Sequence, residues 1–292
     1  MTRLAILSDL HGNLPALEAV LADLALFAVD QVVVAGDVIN WGPFSAQVVE
    51  RVAAGGWAVI RGNNEYYLLD YETPRAPAAW LDRVRWPLLP WLQRQLAGRP
   101  HQVVAAWPDS LSLRFPGTAP IRVVHGSPRG HSEAIYPAQF SSDSQVAAML
   151  DGVTEPVVIA GHTHIPLDRT VGPWRVFNPG SVGNPLHGAR CASYLLLDWD
   201  GDTWRPTFRS VPLDPASVLA EFERQGFEQE CGVIGRLVMD EFASARLALH
   251  PFVVWHAACC PERPLTVERL AEWAEVDQTP FVLPAYRLAT EG

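Results

Sequence analysis

Two short segments hold the densest chemistry in this chain. Ser8-Asp9-Leu10-His11 near its start and Gly161-His162-Thr163-His164 far along it each set two metal-seeking side chains one residue apart. Apolar runs precede both, Leu4-Ala5-Ile6-Leu7 and Val157-Val158-Ile159-Ala160. Their length and bounds are those of buried strands, although periodicity alone does not exclude helix. In α/β proteins ligands gather at the carboxyl ends of strands. The polar residues that follow such runs are Asp9, His11, Asp37, Asn63, His125, His162 and His164. Any one of these histidines alone would more often be a satisfied or surface residue; the joint pattern is different. Carboxylate, imidazole and amide donors together suit Mn, Fe, Co, Ni or Zn better than Ca or Mg. Seven donors exceed the needs of one tetrahedral ion. Two ions sharing a bridging carboxylate would use them, at the roughly 3.5–4 Å spacing of two-metal hydrolases.

The elements that must position these residues begin with an alternating rhythm. Residues 4–7 read as a strand, 14–27 as a helix, 31–35 as a strand, 44–54 as a helix and 57–60 as a strand. This β-α-β-α-β order implies a largely parallel sheet with right-handed crossovers. Each strand runs into a loop rich in Asp, Asn or Gly, the usual home of chemistry on a rigid scaffold. Residues 66–100 differ, being rich in Trp, Leu, Pro and Arg, and are expected to form a helical cap beside the mouth of the site. Trp80, Trp86 and Trp91 are read there as core rather than as a platform for a base. Strands return at 112–115, 121–124, 157–160, 175–177, 193–197 and 204–211, forming a second sheet of more antiparallel character. After Pro212 the pattern is helical (216–224, 232–249, 267–274), interrupted by Pro251, Pro261 and Pro264. The expected organisation is a domain over 1–212 and a helical C-terminal extension over 213–292 packed on it. Neither an internal repeat nor a low-complexity tract is evident.

Bulk properties narrow the function. The 292 residues, 49% of them hydrophobic, suffice for one large α/β domain with an appendage. A formal charge of −10 argues against duplex nucleic-acid binding, which needs a basic face. A small nucleotide remains compatible, because divalent cations would reverse the sign locally. The four cysteines lack C-x-x-C spacing, so neither a zinc knuckle nor a disulfide framework is expected, and Cys259-Cys260 reads as two buried small residues. With neither an apolar leader nor a run of about 18 apolar residues, a soluble cytoplasmic protein is the expectation.

Five ordered blocks go further: Asp9-Leu10-His11, Gly36-Asp37, Gly62-Asn63-Asn64-Glu65, His125-Gly126 and Gly161-His162-Thr163-His164. Together they resemble the calcineurin-like metallophosphoesterase superfamily. Asp9-Leu10-His11-Gly12-Asn13-Leu14, Val124-His125-Gly126-Ser127-Pro128-Arg129 and Asn178-Pro179-Gly180-Ser181-Val182-Gly183 resemble its small bacterial and archaeal phosphodiesterase branch. The resemblance implies a four-layer α-β-β-α sandwich of two mixed sheets, with the site at their joined edge. It implies two divalent transition-metal ions, manganese first, with Fe, Ni, Co or Zn as alternatives. Asp9, His11, Asp37 and His164 would bind one ion, and Asp37, Asn63, His125 and His162 the other. A hydroxide bridging the ions would attack phosphorus in line with the leaving oxygen.

One departure from the family pattern bears on catalysis. The histidine that usually follows the metal-binding Asn is Asn64 here, and an amide has no proton to give near neutral pH. His131 and His187 are candidate substitutes, with a surface role weighed against each. Arg129 is a candidate phosphate clamp or a loop anchor. Asn13 and Asn184 are candidate substrate contacts, Asn13 also as the residue that orients a ligand and Asn184 beside a turn at Asn178. The leading expectation is a dinuclear-metal phosphodiesterase acting on a nucleotide-like or small phosphodiester, with no membrane partner and a homo-oligomer left open. The alternatives are a phosphomonoesterase or protein phosphatase on the same site, and a non-catalytic metal-binding scaffold.

Overall fold

The computed structural model describes residues 2–287. Its first half runs β1 (Arg3–Leu7), α1 (Leu14–Leu24), β2 (Gln31–Val34), α2 (Ser45–Ala54), β3 (Ala58–Val59), α3 (Asn63–Asp70), α4 (Leu88–Gln95) and α5 (Arg99–Ala106). Then follow β4 (Leu111–Leu113), β5 (Ile121–Val123), α6 (Asp143–Met149), β6 (Val157–Ile159), β7 (Leu167–Val171), β8 (Trp174–Asn178), β9 (Cys191–Trp199) and β10 (Trp204–Pro212). The helices α7 (Ala216–Arg224), α8 (Phe227–Ser244), α9 (Leu249–Cys259), α10 (Val267–Ala274) and α11 (Pro284–Arg287) complete it.

The strands form two five-stranded mixed sheets, in the orders β10-β9-β1-β2-β3 and β4-β5-β6-β8-β7. Each has three parallel strands, β1-β2-β3 in one and β5-β6-β8 in the other, flanked by antiparallel partners. The period of two sorts β1 between two layers. Leu4 and Ile6 face the second sheet, with Val33, Ile121, Val123, Ile159, Phe177 and Trp204. Ala5 and Leu7 face the helical layer of Leu17, Val20, Val48 and Val52. The outer face of the second sheet is covered by α6 through Val146 and Leu150. Four layers result, as the motifs implied. Burial on both faces explains why β1 and β6 read as continuous apolar runs instead of alternating ones.

Local differences from the sequence reading have local causes. The first helix stops at Leu24, where Leu26 N–H bonds Asp23 O at 3.1 Å and Phe27 N–H bonds Leu24 O at 3.0 Å, tightening the chain into a turn. The strand β7 and helix α6 had no expected counterpart. Pro251 does not interrupt the tail; it occupies the first turn of α9, where its missing N–H is not needed. Cys260 is buried but Cys259 is exposed, correcting the expectation of a buried pair, and all four cysteines are free.

The helices after β10 do not stand apart. Trp91 of α4 meets Phe227 of α8 with ring centroids 4.6 Å apart, inside a cluster that includes Leu88, Phe222 and Ile234. Trp91 is thus core, as expected. A second cluster joins α8 to α9 and α10 through Leu237, Phe252, Trp255 and Trp273. Among the described residues, no helix is long and apolar enough to cross a membrane.

Trp204 is 1% exposed between the sheets, and its indole N–H donates to Ala119 O at 2.9 Å. Trp204→Ala should lower unfolding free energy by about 3–5 kcal/mol, the range for emptying a large aromatic site, measurable by urea titration.

Candidate metal centre

The parallel strands of both sheets end at one edge, and their loops carry the polar residues. Asp9 and His11 follow β1, Asp37 follows β2, Asn63 opens α3 after β3, His125 follows β5, and His162 and His164 follow β6. Five of these residues take left-handed backbone: Asp9 (φ 54°), His11 (47°), Asp37 (51°), His162 (68°) and His164 (57°). Such conformations cost of order 1 kcal/mol each outside glycine and persist where the surroundings over-determine them. The surroundings here are a ladder of loop hydrogen bonds. Asp9 N–H reaches Gly36 O at 3.1 Å, His11 N–H reaches Asp37 O at 2.9 Å, and Gly183 N–H reaches Asp9 O at 2.9 Å. Gly183 must be glycine, since a Cβ there would lie 1.7 Å from Leu10 O.

The side chains converge in two groups. Asp9, His11 and His164 form one, Asp37, His125 and His162 the other, each with its donor atoms within 4.8 Å of one another. Asn63 joins the second, its Oδ1 2.8 Å from His162 Nδ1 and 3.2 Å from His125 Nε2. Asp37 stands between the groups, its Oδ2 3.2 Å from His125 Nε2 and 3.8 Å from His11 Nε2.

Ring orientation reveals what is missing from a purely protein account. His11 Nδ1 faces Asn40 O at 3.1 Å, His164 Nδ1 faces Asn184 O at 2.5 Å, and His125 Nδ1 faces Ala35 O at 2.8 Å. A carbonyl oxygen only accepts, so each Nδ1 carries a proton and each ring turns its Nε2 toward the site. Yet His11 Nε2 and His164 Nε2 lie 3.0 Å apart, and although burial opposes a charge on His164, Asp9 outweighs it and raises the pKa of that ring. Asp9 Oδ1 is also buried without a hydrogen-bond partner, 3.3 Å from the same His164 Nε2. A divalent cation would relieve both the crowding of the two rings and the unpartnered carboxylate oxygen, and the donor set fits a transition metal. Burial, followed by repulsion from His164, pushes His11 down to about 4, and burial with repulsion from His125 does the same to His162. Both are therefore neutral, the form that coordinates metal. Burial also opposes a charge on His125, but Asp37 outweighs it and raises the ring to about 10. That ring takes a proton where a cation would otherwise supply the charge.

Glu65, in the motif but with no role assigned to it, holds the second-strand loop. Its two oxygens accept from the N–H groups of Asp37 (3.0 Å), Val38 (2.8 Å), Ile39 (3.2 Å) and Gly62 (2.6 Å). The signal was a glutamate three residues into a helix, the spacing of a capping box. Gly62 is required there, because a Cβ would lie 2.2 Å from Asp37 Oδ1.

The candidates for substrate and proton work are placed less uniformly. Asn64 is buried, donating from Nδ2 to Asp37 Oδ2 at 2.5 Å and accepting at Oδ1 from Asn40 at 2.9 Å. Both ends of its amide are held inside the protein. Asn13 caps α1 by accepting Ala16 N–H at 3.1 Å and donates to Gly183 O at 2.7 Å, so backbone groups occupy it rather than substrate. Arg129 pairs with Glu133 and donates to Ala148 O at 3.2 Å, on an exposed surface. That is the loop-anchor alternative. His131 stacks on Tyr66 at 4.6 Å, half-buried and outside the cavity over the cluster, and burial lowers its pKa. His187 lies on another face beside Phe208 and Ser210. Asn184 does line the cavity, with Oδ1 buried and unpartnered.

The cavity, about 490 Å³, has His11, Asp37, Asn63, His162 and His164 among its lining residues. Trp41, Tyr67 and Trp86 line one side, with Tyr67 5.7 Å from Trp86 and 6.2 Å from Trp41 by ring centroids. Trp80 stacks behind them, 4.9 Å from Tyr67. Trp86 is thus a wall residue, not core as expected. Ile234, Glu241, Leu249, Val253 and His256, all from α8 and α9, line the cavity too. None of these was singled out from the sequence as a site residue, since nothing local marks a helix that folds back over a distant sheet edge. Tyr286 of α11 also returns, donating to Thr163 O at 2.9 Å beneath the His162–His164 loop.

Comparison with known proteins agrees with this geometry. The profile of the calcineurin-like phosphoesterase superfamily domain matches residues 2–202. Phosphodiesterase YfcE of Escherichia coli strain K12 is 29% identical over 231 residues, covering 76% of this chain and 97% of its own. A metallophosphoesterase from Sphaerobacter thermophilus superposes with a TM-score of 0.64 at 27% identity, covering 84% of this chain and 99% of its own. A hypothetical protein from Pyrococcus horikoshii OT3 shares the fold, with a TM-score of 0.67 at 21% identity over 80% of this chain and 97% of its own.

Glu65→Gln would turn an amide NH₂ toward two backbone N–H donors. A loss of about 3 kcal/mol of stability is expected, at 1–3 kcal/mol per buried unsatisfied group, read as a lower thermal midpoint.

Proposed function

The chain belongs to the calcineurin-like phosphoesterase superfamily, a group of metal-dependent hydrolases, and on that premise we propose that it is a two-metal phosphodiesterase acting on a small phosphodiester. One observation carries the reading: two donor groups meet at Asp37, whose Oδ2 lies 3.2 Å from His125 Nε2 of its own group and 3.8 Å from His11 Nε2 of the other, where His11 Nε2 and His164 Nε2 face each other at 3.0 Å. The name of the Escherichia coli relative favours the diesterase over the monoesterase.

In this reading Asp9, His11, Asp37 and His164 hold one ion, and Asp37, Asn63, His125 and His162 the second. Manganese is the first candidate, with Fe, Ni, Co or Zn behind it. When bound, the ions supply neutralisation of the phosphoryl oxygens and acidify the attacking water. The protein does the rest. The carbonyls of Asn40, Asn184 and Ala35 fix the three rings with Nε2 toward the site. Asn64 fixes the shared carboxylate by donating to Asp37 Oδ2. Position 64 supplies no leaving-group proton, since its amide is spent on Asp37 and Asn40 and has none to give near neutral pH. Substrates with weakly basic leaving groups are favoured for that reason. General acid catalysis is worth about 10²–10⁴-fold where it operates.

Loading with Mn²⁺ at about 100 times its Kd should add roughly 2.7 kcal/mol of stability, read as a rise in thermal midpoint that His11→Ala abolishes. An unchanged midpoint would argue against ion binding. On the metal-loaded protein, bis(p-nitrophenyl) phosphate should be hydrolysed readily. Brisk turnover of p-nitrophenyl phosphate beside negligible turnover of the diester would replace this reading with the monoesterase.

A further inference from the structure

The family profile ends at residue 202, yet α8 and α9 lie beyond it and wall the cavity over the metal centre. Glu241 places that wall. Buried on α8, it accepts the N–H groups of Ala248 and Leu249 at 2.9 Å each and so fixes where α9 begins. From there Leu249, Val253 and His256 reach the cavity. His256 is 4% exposed, and its Nε2 is buried with no hydrogen-bond partner among the described residues. The loop between β2 and α2 provides the ring of Trp41, and the cap those of Tyr67 and Trp86.

We propose that α8 and α9, with these rings, form a binding site for a flat aromatic ester group of the substrate, with His256 meeting its polar edge. The inference rests on the phosphodiesterase reading and adds the substrate class. A cavity of about 490 Å³ holds a phosphate at the metal-facing end and one ring system beyond it. Aromatic rings at these separations receive another ring edge-on or offset. Nucleobase and aryl groups share this chemistry.

The test compares kcat/KM of the Mn²⁺-loaded full chain on three p-nitrophenyl phosphodiesters whose other ester group is methyl, p-nitrophenyl or thymidine 5′. Val253 is 43% exposed, so Val253→Asp is compatible with folding. It should lower kcat/KM on the aryl or thymidine ester at least tenfold more than on the methyl ester. His256→Gln should do so to a smaller degree on whichever aromatic ester is preferred. Calorimetry on the Mn²⁺-loaded protein gives a second readout: diphenyl phosphate should bind at least fivefold more tightly than dimethyl phosphate, and Val253→Asp should weaken the former at least fivefold. Parallel losses on all three esters, or equal binding of diphenyl and dimethyl phosphate, would overturn the site. A wild-type protein that turns over no diester but binds diphenyl phosphate would overturn the diesterase reading and leave the site standing.

Discussion

Two carboxylates, Asp9 and Asp37, are buried at the edge where the sheets meet, and among the described residues their ion-pair contacts are all with histidines. Uncompensated charge in such a place costs several kcal/mol. The carboxylates raise the pKa values of His125 and His164, so without a cation these rings take up the compensating charge as protons. The arrangement is stable as a cation site and poor as anything else. The surrounding loops hold these side chains in that arrangement.

Holding it falls to backbone geometry. Five candidate ligands sit in left-handed conformations, kept there by hydrogen bonds between loops from different strands. Glu65 collects four N–H groups into one carboxylate, and Asn13 links the first loop to the one after β8. Residues that resemble substrate contacts on sequence grounds prove to be parts of this scaffold. Asn13 is the clearest case, with both heteroatoms of its amide bonded to backbone.

The second architectural feature is closure from outside the sandwich. The cap helix α4 and the C-terminal α8 share an apolar cluster around Trp91 and Phe227, so the cap and the tail are held against each other. Their joint inner surface faces the cavity. A metal centre common to the family is thereby given walls that residues 203–287 supply in part.

The motifs' resemblance to a known family implied the four-layer order; the residues themselves determined the strand ends and the seven polar residues that follow them. Each depends on a local signal: an apolar run of strand length, then a short loop of Asp, Asn, Gly or His. The division of His162 and His164 between different groups was implied by the resemblance, and the structure places them so. What the sequence left open depends on groups distant in the chain. Arg129 and Asn13 carry the chemistry of phosphate contacts, but whether a guanidinium or amide is free depends on Glu133 and Gly183 lying nearby. Trp86 and Trp91 belong to one aromatic stretch, yet one lines the cavity and the other fills a core, because α8 covers only the second. The walls from α8 and α9 were invisible for the same reason: helical periodicity tells which face is apolar, and only tertiary packing decides what that face meets.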